Sequence, residues 1–353
     1  MKIKIKYILI LVFLSIISTG ISSNTIIDFD LCYYISDISN THTDSSSNII
    51  INTYTPVLDI ICNTIIVSNP SGFNEQDKVI IIQMKGAAID YSNSNQFGDI
   101  TSYNNAGNYE INTIKEIIDN KIKLVYELIN DYDTSGKVQL ISFPVYENLT
   151  IDNELTALSW DGNTGGLLAF EVTGTLIMNN NIDVSGKGFR GAATINNITN
   201  YGASNYYYSL SSKDAAKKGE GIHEIQIDSQ YKCGKGANAN GGGGGNGHNR
   251  GGGGGGNNSN GGLGGKKKAD YSEGRGIGGK PLNYSNKKNK IFIGGGGGAG
   301  EMNNSQGTAG ENGGGIIIIK TEMMLIVSVG LMAQVEVVQV VQFCLMLVIL
   351  KIS

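Results

Sequence analysis

The stretch GGGGGNGHNRGGGGGG, from Gly241 to Gly256, lies within a longer segment, Gly234 to Gly315, that carries 33 of the 50 glycines of the chain. Glycine has no side chain to bury and loses more backbone entropy on folding than other residues. Such a segment is therefore either unordered or ordered by close packing of the main chain. β-branched residues cluster at Ile291 to Ile293 and Ile316 to Ile319, which predicts strands on both sides of the last glycine runs.

The beginning of the chain has the pattern of an export signal. Lys2, Lys4 and Lys6 precede an apolar run from Tyr7 to Ile17, and small residues follow it. The apolar run is short for a membrane span, which argues against the alternative of a transmembrane anchor. We expect a signal peptide over residues 1–23, cleaved near Ser22 or Ser23, and a mature chain that is secreted or at the cell surface without a membrane span.

The net charge argues against a nucleic-acid partner. The full chain has a formal charge of −4, and removal of the signal peptide with its three lysines takes it to −4 − 3 = −7. An acidic protein of this kind has no general attraction to phosphate backbones or to anionic membranes. The basic cluster Lys266 to Lys268 is only local.

Cysteines and histidines predict no disulfide scaffold, metal site or cofactor. The cysteines are few, scattered and without a CxxC pair: Cys32, Cys62, Cys233 and Cys344. The histidines are far apart in polar or glycine-rich surroundings: His42, His223 and His248. Solvated loop positions explain these histidines as well as metal coordination does.

After a polar entry segment over residues 24–48, residues 49–152 read as an antiparallel β domain. Short apolar runs separated by turn residues give this pattern. The expected strands are Val57 to Val67, Lys78 to Met84, Tyr109 to Ile118, Lys121 to Leu128 and Lys137 to Phe143. A region of this length can bury a modest core.

Residues 153–233 favour a β-solenoid, because short strands alternate with tight corners. The expected strands are Leu167 to Val172, Thr175 to Met178 and Asn181 to Val184, and Lys213 to Lys218 is predicted to form one helical turn. A glycine-rich region over residues 234–320 follows and ends in a strand. The predicted fold class is all-β, with a small antiparallel β domain followed by a β-solenoid-like segment and a poly-Gly-rich block.

Several strings, matched in order over about Val57 to Lys320, resemble the glycine-rich amino-terminal region of large secreted surface proteins of Bacteroidota. They are FGDITSYNNAGNYE, LISFPVYENLTI, SWDGNTGGLLAFEVTGTLIMNNNIDVSGKGFRG, AAKKGEGI, IGGKPLNYS, IFIGGGGGAG and GENGGGIIIIK. That family resembles adhesins, and its longer members continue into immunoglobulin-like modules and a domain for secretion and attachment linked to gliding surfaces. The resemblance implies an exported, adhesin-like protein.

The composition changes abruptly at Thr321. A membrane span is a poor interpretation of residues 321–353, because Gln334, Glu336 and two further glutamines interrupt it, and a buried strand pair would have no turn. The run Val335 to Gln342 can be encoded so that the frame two bases later reads Gly-Gly-Gly-Ala-Gly-Gly-Ser. We interpret the tail as the product of a frameshift, so that the chain is a truncated piece of a larger protein.

Three motifs resemble ligand sites but have simpler explanations. Gly186 to Gly191 is formally GxGxxG, yet loop residues follow it where a dinucleotide site needs a helix. Gly274 to Lys280 approaches a phosphate loop but has Pro281 where Ser or Thr is required. Asp131 to Gly136 resembles half of a calcium loop, but Ser142 stands where a bidentate Glu is needed, so a hairpin turn is favoured.

Two sets of residues carry the remaining functional interpretations. Asp161, Glu171 and Asp183 could supply an acid and a base to a polysaccharide-cleaving solenoid, although turn formation explains the two aspartates and Glu171 has no identifiable partner. The adjacent Tyr206, Tyr207 and Tyr208 could stack on sugar rings, or could form an exposed aromatic loop. We expect a non-enzymatic, adhesin-like surface or matrix protein whose partners are a surface glycan or further copies of itself. The alternative is a carbohydrate-active β-solenoid enzyme.

Overall fold

The computed structural model describes residues 48–195, 204–225, 230–266, 274–283, 290–302, 306–321 and 324–327. These residues lie in one compact unit, Ser46–Ser353, and form an all-β protein. The predicted signal peptide, most of the polar entry segment and residues 328–353 lie outside them, and so do Cys32, His42 and Cys344. Within the described part of the chain, no helix has the length and apolar character needed to cross a membrane.

The strands are short and follow one another closely. In chain order they are β1 (Ile49–Ile50), β2 (Tyr54–Ile61), β3 (Thr64–Val67), β4 (Lys78–Gln83), β5 (Ala88–Ile89), β6 (Ile100–Ser102), β7 (Tyr109–Ile118), β8 (Lys121–Leu124), β9 (Val138–Ser142), β10 (Val145–Tyr146), β11 (Leu149–Ile151), β12 (Leu155–Thr156), β13 (Leu167–Val172), β14 (Thr175–Met178), β15 (Ile316–Thr321) and β16 (Met324–Val327). One turn of 3-10 helix, Thr134–Gly136, precedes β9.

Six of these strands close into a barrel with the order β2-β3-β8-β7-β4-β9, and every neighbouring pair is antiparallel. Alternate residues point inward, as the period of two in a strand requires. The inward side chains form a closed apolar core, whose members include Ile65, Val79, Ile81, Ile122 and Leu140. Closure removes the exposed strand edges that an open sheet of this size would have.

Strand β4 connects the barrel to the rest of the molecule. Its sequence KVIIIQ is apolar on both faces, and Val79 to Ile82 are all fully buried. Val79 and Ile81 fill the barrel, whereas Ile80 and Ile82 belong to a second core with Trp160, Phe189 and other apolar residues. A continuous apolar run is the expected pattern for a strand covered on both sides.

Parallel pairing joins β1, ahead of the barrel, with β12, and it also joins the strands that follow the barrel. Leu149 pairs with Leu176 and Leu155 with Ile182, in each case 27 residues further along the chain. β13 and β14 then pair in register with β15 and β16, but there the separation is 149 residues, as for Leu167 with Ile316. The glycine-rich region therefore lies between two strands that are spatial neighbours.

The glycine-rich region forms what we call the glycine array, a bundle of extended segments joined by main-chain hydrogen bonds. Its segments are 188–192, 217–221, 240–246, 251–257, 259–265, 276–280, 294–301 and 308–314. In segment 294–301 the amides donate in turn to three different neighbours, and the pattern repeats after three residues. Gly294, Gly297 and Gly300 donate to the carbonyls of Gly314, Glu311 and Thr308. Gly295, Gly298 and Glu301 donate to those of Gly256, Gly253 and Arg250, and Gly296 and Ala299 donate to those of Glu220 and Lys217. A period of three residues is that of the polyproline II helix.

Glycine is required in the array because the segments approach one another closely. A Cβ atom added to Gly255 would overlap the carbonyl oxygen of Gly295, and one added to Gly243 would overlap that of Lys235. At Gly262 and Gly314, in contrast, a Cβ atom would meet nothing within 4 Å. The requirement is therefore local and set by packing distance.

Several details of the sequence prediction are wrong. Ile291 to Ile293 is not a strand, since only the neighbouring Lys290 makes a bridge there, and the predicted strand Lys121 to Leu128 ends at Leu124. Val57 to Val67 is two strands, because Cys62, with φ of 54°, turns the chain between β2 and β3. Asp131 to Gly136 does not close a hairpin, since β8 and β9 are not neighbours in the barrel. Asn181 to Val184 is not a strand; only Ile182 makes a bridge there. The predicted helical turn at Lys213 to Lys218 is extended chain, in which Ala215 bridges Asn246 and Lys217 bridges Cys233.

Candidate functional site

The candidate site is built on the loop that joins β5 to β6. This loop is closed at its base, where the Asp90 amide donates to the Asp99 carbonyl and the Gly98 amide donates back to the Asp90 carbonyl, both at 2.9 Å. Gly98 has φ of +85°, and a Cβ atom there would overlap the carbonyl of Ala237 in the chain beneath. The loop therefore packs directly against the glycine-rich part of the molecule, and this contact fixes the position of the loop.

Four aromatic rings from three distant parts of the chain meet beside this loop, and we call them the tyrosine cluster: Tyr91, Phe97, Tyr207 and Tyr231. The ring centroids of Tyr91 and Tyr231 are 4.5 Å apart, and those of Tyr207 and Tyr231 are 4.8 Å apart. Phe97 is fully buried, and its ring centroid lies 5.6 to 6.2 Å from those of the other three rings. Tyr91 remains 40% exposed, so the cluster has a buried floor and an open rim.

The three adjacent tyrosines of the sequence prediction have different surroundings. Tyr207 belongs to the tyrosine cluster, and the Lys235 ammonium lies 4.6 Å from the ring centroid of Tyr206. Tyr208 is tied into the local main chain: its amide and carbonyl pair with those of Cys233, and its hydroxyl accepts a hydrogen bond from the Asn205 amide at 3.1 Å. The structure thus brings two of the three toward other aromatic or cationic groups.

Asn93 fixes the tyrosine segment to the loop. Its side-chain amide donates to the Asn205 side-chain oxygen at 2.9 Å, and its own oxygen accepts from the Tyr206 amide at 2.8 Å. Because both bonds leave one side chain, the two chain segments are held at a fixed separation. The relative position of the Tyr91 and Tyr207 rings follows from this link.

The buried Lys218 lies under the cluster. Its ammonium donates to the carbonyls of Tyr206, Gly234 and Gly236 at 2.6 to 2.9 Å and lies 4.5 Å from the Phe97 ring centroid. Burial lowers the pKa of Lys218 well below its usual value. Three carbonyl acceptors nevertheless match the three N–H bonds of an ammonium group, which a neutral amine does not have, so we assign the charged form. This cation joins the tyrosine segment to the chain beneath it.

A histidine orients the most exposed ring. His223 Nδ1 lies 2.6 Å from the Ala87 carbonyl, which can only accept, so Nδ1 carries the proton. The other ring nitrogen, Nε2, lies 2.6 Å from the Tyr91 hydroxyl and therefore accepts a hydrogen bond from it. Burial lowers the pKa of His223, which keeps the imidazole neutral. His223 is thus buried and not the solvated loop residue that the sequence suggested, and the Tyr91 hydroxyl keeps its lone pairs for a ligand.

The three acidic residues of the enzyme hypothesis are engaged in local structure. The Asp161 carboxylate accepts from the amides of Asn163 and Thr164, and that of Asp183 accepts from the Ser185 amide, so both close turns. Glu171 does have partners, contrary to the sequence analysis: its two oxygens accept from Lys78 at 2.7 Å and Lys320 at 2.9 Å. Burial alone would raise the pKa of Glu171, but the two lysines lower it.

A second polar cluster lies where the barrel meets the glycine array. Lys85, with a side chain only 3% exposed, pairs with Glu220 at 2.5 Å and with Glu224 at 2.6 Å. Glu220 also accepts from Arg190 at 3.0 Å and from the Trp160 indole at 3.1 Å. Burial alone would raise the pKa of Glu220, but the Lys85 charge and the Arg190 hydrogen bond lower it to about 2. Because these charged groups are paired with one another, we assign them a structural role, and we call this cluster the joint between the barrel and the glycine array.

The other sequence motifs occupy structural positions. In the GxGxxG string, the Gly188 amide donates to Gly313 and a Cβ atom would overlap the Gly314 carbonyl, so the glycine serves close packing in the array. Asp133 caps the 3-10 turn by accepting from the Ser135 amide at 3.0 Å. Among the described residues no group of three or more acidic, His or Cys side chains could hold a metal ion.

Comparisons with known proteins add little. No family model matches the sequence, and no curated protein matches it. The Gp54 tailspike of Acinetobacter baumannii bacteriophage AP22, solved in complex with A. baumannii capsular saccharide, matches with 15% identity and a TM-score of 0.20. The match covers 37% of this chain and 22% of the tailspike. At that TM-score the likeness carries no argument about this chain.

Sequence reasoning missed Tyr91, Phe97, Tyr231 and the ion-pair joint. One signal was present, because each of these rings stands alone among polar loop residues, in YSNSNQFGD and SQYKC. An aromatic residue in such a setting lacks apolar neighbours in sequence and must find them elsewhere in the fold. The pairing of Lys85 with Glu220 spans 135 positions and gives no local pattern.

Proposed function

We propose that this chain is a non-enzymatic, secreted surface or matrix protein of the adhesin-like kind, and that it binds a glycan at the tyrosine cluster. The observation that carries the proposal is the open rim of the cluster, where Tyr91 is 40% exposed between its ring contacts. Aromatic rings combine a large apolar face with a polar edge. A sugar has the same two components, an apolar ring face and a rim of hydroxyls.

The chemistry of the rim favours a sugar over a purely apolar ligand. The Tyr91 hydroxyl donates its hydrogen to His223, so its lone pairs are acceptors for ligand hydroxyl groups. Half-buried and exposed polar side chains surround it, among them Ser92 and Asn93. Mixed apolar faces and directed polar groups are typical of ligand sites in proteins.

The platform beneath the rings supports a binding role because it is rigid. Lys218, Asn93 and the tightly packed Gly98 fix three segments that are far apart in sequence. Rings that are held in place before binding lose little conformational entropy when the ligand arrives. A rigid platform therefore suits a binding role.

We further infer that the parallel pairs β11 with β14 and β13 with β15 are successive coils of a β-solenoid, with the glycine array inserted between two of them. The 27-residue separation of Leu149 and Leu176 supports a coil of that length. Stacked coils bury their apolar faces only against one another. This arrangement would present the tyrosine cluster on an elongated scaffold.

The non-enzymatic part of the proposal is supported by the state of the candidate acids. A glycosidase needs one carboxyl group with a raised pKa and a second, ionised one beside the substrate. Among the three candidates, the pKa values of Glu171 and Asp183 are both lowered, and Asp161 closes a turn. The lowered pKa values of Glu171 and Asp183 disfavour the protonated form that a general acid needs at neutral pH.

Binding to a panel of immobilised bacterial polysaccharides tests the proposal. We expect saturable binding to at least one of them and a loss of about tenfold or more in affinity for Tyr91→Ala, as removal of one stacked ring predicts. Tyr126→Ala is the matched control, because Tyr126 is 66% exposed but lies outside the cluster. Equal binding by both variants would contradict the assignment. Release of new reducing ends, abolished by substitution of Asp161, Glu171 or Asp183, would favour the enzyme alternative.

A further inference from the structure

Segment 294–298 is at the centre of the glycine array and has five extended neighbours. Each neighbour exchanges at least one main-chain hydrogen bond with it: 188–192, 217–220, 242–245, 251–256 and 308–314. Most of these neighbours are also bonded to one another around the centre. The bonds are Gly310 to Ala192, Glu220 to Arg190, Gly219 to Gly242 and Gly253 to Gly243.

In a helix with three residues per turn, the amides point in three directions and the carbonyls point in three others. Such a helix can therefore form hydrogen bonds with at most six neighbouring segments. Five of the six positions around 294–298 are filled. The sixth lies between segments 251–256 and 308–314, which have no hydrogen bond to one another among the described residues. An open groove of about 660 Å³ occupies this position, lined by residues of 251–257, 294–298 and 308–314.

Main-chain groups on two walls face this vacant line. In segment 251–256, four amides donate within the array, but those of Gly252 and Gly255 have no acceptor among the described residues. In segment 294–298, the carbonyls of Gly295 and Gly298 likewise have no donor among the described residues. In both segments these groups are three residues apart, the period at which a polyproline II helix repeats its direction.

We propose that this groove binds an extended, glycine-rich segment of a second polypeptide chain, which takes the sixth position around segment 294–298. The segment would accept hydrogen bonds from Gly252 and Gly255 and donate to Gly295 and Gly298. Unpaired rows of main-chain donors and acceptors are a template for another chain, as at the edge of a sheet. This interaction is separate from the tyrosine cluster and independent of glycan binding.

The composition of the partner follows from the walls of the groove. Glycine forms 14 of the 19 lining residues, so most of the lining is main chain. The other five lining residues are Asn257, Thr308, Ala309, Glu311 and Asn312, and only one of them, Ala309, has an apolar side chain. The array itself shows that segments at this spacing tolerate no Cβ atom at the closest positions, such as Gly252 against Gly298. A partner with consecutive glycines fits the same spacing, whereas a partner of the same length with bulky residues does not.

The test uses the full chain and a synthetic peptide with blocked ends that copies one glycine run of this chain. The peptide is NRGGGGGGNNS, the sequence of Asn249 to Ser259. We expect saturable binding by calorimetry, together with slower amide exchange at Gly252 and Gly255 when the peptide is present. A peptide with alanine at all six glycines is the chemical control and should not bind. Absence of binding, or equal binding of the two peptides, would overturn the proposal.

Two protein variants locate the binding. Gly314 lines the groove and Gly262 does not, yet both are exposed and a Cβ atom at either meets nothing within 4 Å. Gly314→Val should weaken peptide binding by about tenfold, the cost expected for about one lost hydrogen bond and its packing, whereas Gly262→Val should not. Equal melting temperatures would show that both variants fold. Equal affinities in the two would assign the peptide to another surface and refute the groove.

Discussion

The barrel and the glycine array are joined in one molecule but are stabilised in opposite ways. In the barrel, β-branched side chains such as Ile81 and Ile122 fill a closed core, and main-chain bonds follow the six-strand order. In the glycine runs of the array there are no side chains, and main-chain bonds run to three neighbours in turn. The barrel is therefore sensitive to the loss of a methyl group, and the array to the gain of one.

This contrast also separates two kinds of specificity. A barrel core accepts many combinations of apolar residues provided that the volume is kept. The array accepts only glycine at its closest contacts, but it places few demands on the order of its segments. A glycine run is thus a strong constraint on packing distance and a weak one on which neighbours meet.

The largest effect is expected from the core of the barrel. Ile81→Ala removes a fully buried side chain from a closed space and should cost about 2–5 kcal/mol of unfolding free energy. Ile111→Ala is the control on the neighbouring strand, because Ile111 is 42% exposed. Denaturant unfolding, followed by circular dichroism, measures both. Similar losses in the two variants would contradict a side-chain core.

The joint between the two regions should be sensitive to acid. The pKa of Glu220 lies at about 2 in the folded protein and at its usual 4.5 in the unfolded chain. A lowered folded pKa gives stability that is present above pH 4.5 and lost as the pH falls toward 2. For a carboxylate that is largely buried, this stability amounts to roughly 3 kcal/mol. Glu220→Gln should be less stable at pH 6 and should lose less on acidification, which melting temperatures at about pH 6 and about pH 3 can measure.

One result would contradict this prediction about Glu220. If Glu220→Gln and the unmodified chain lost stability in parallel on acidification, the joint would contribute nothing to the acid response. Glu75→Gln is a suitable reference, because Glu75 is exposed on the barrel side. Its acid response should match that of the unmodified chain.

A smaller loss is expected from adding one methyl group to the array. Gly255→Ala places a Cβ atom on the carbonyl of Gly295 and should cost about 1–3 kcal/mol, the usual penalty of overpacking. Gly262→Ala, where the Cβ atom meets nothing, should change stability by less than about 0.5 kcal/mol. Unfolding curves of the two variants decide the matter. Equal behaviour would mean that the array is not held at the distances seen here.

The sequence predicted strands best where the local pattern of residues identifies the strand. β7, β13 and β14 have the predicted bounds, because β-branched residues occur between clear turn residues. The prediction failed where the outcome depends on distant partners. Lys213 to Lys218 has a helix-like local pattern but is held extended by Asn246 and Cys233.

The candidate site could be predicted only in part for the same reason. Tyr207 was identified from its neighbours in sequence, whereas Tyr91 and Tyr231 reach it through loops whose positions depend on the array. The glycine runs determine these positions without carrying any side-chain pattern. Which segments of the array are neighbours could therefore not be derived from composition or periodicity.

The smallest effect on stability is expected from removal of the residues that follow β16. Pairing with described residues continues in register through β16 and reaches Val327, beyond the predicted change of reading frame at Thr321. The frameshift remains a prediction for residues 321–353, of which residues 328–353 are apolar and weakly charged. Ending the chain after Val327 should leave the free energy of unfolding within about 0.5 kcal/mol and should raise solubility, because β-prone apolar segments promote aggregation.

Ending the chain after Gly315 is the destabilising control for this cut, because it removes β15 and β16 and leaves β13 and β14 without their last partners. Unpaired strand edges of this kind lose main-chain hydrogen bonds and promote association. Unfolding curves and light scattering across a concentration series measure both effects. A clear loss of stability after the cut at Val327 would show that residues 328–353 belong to the fold and that the frameshift interpretation is wrong.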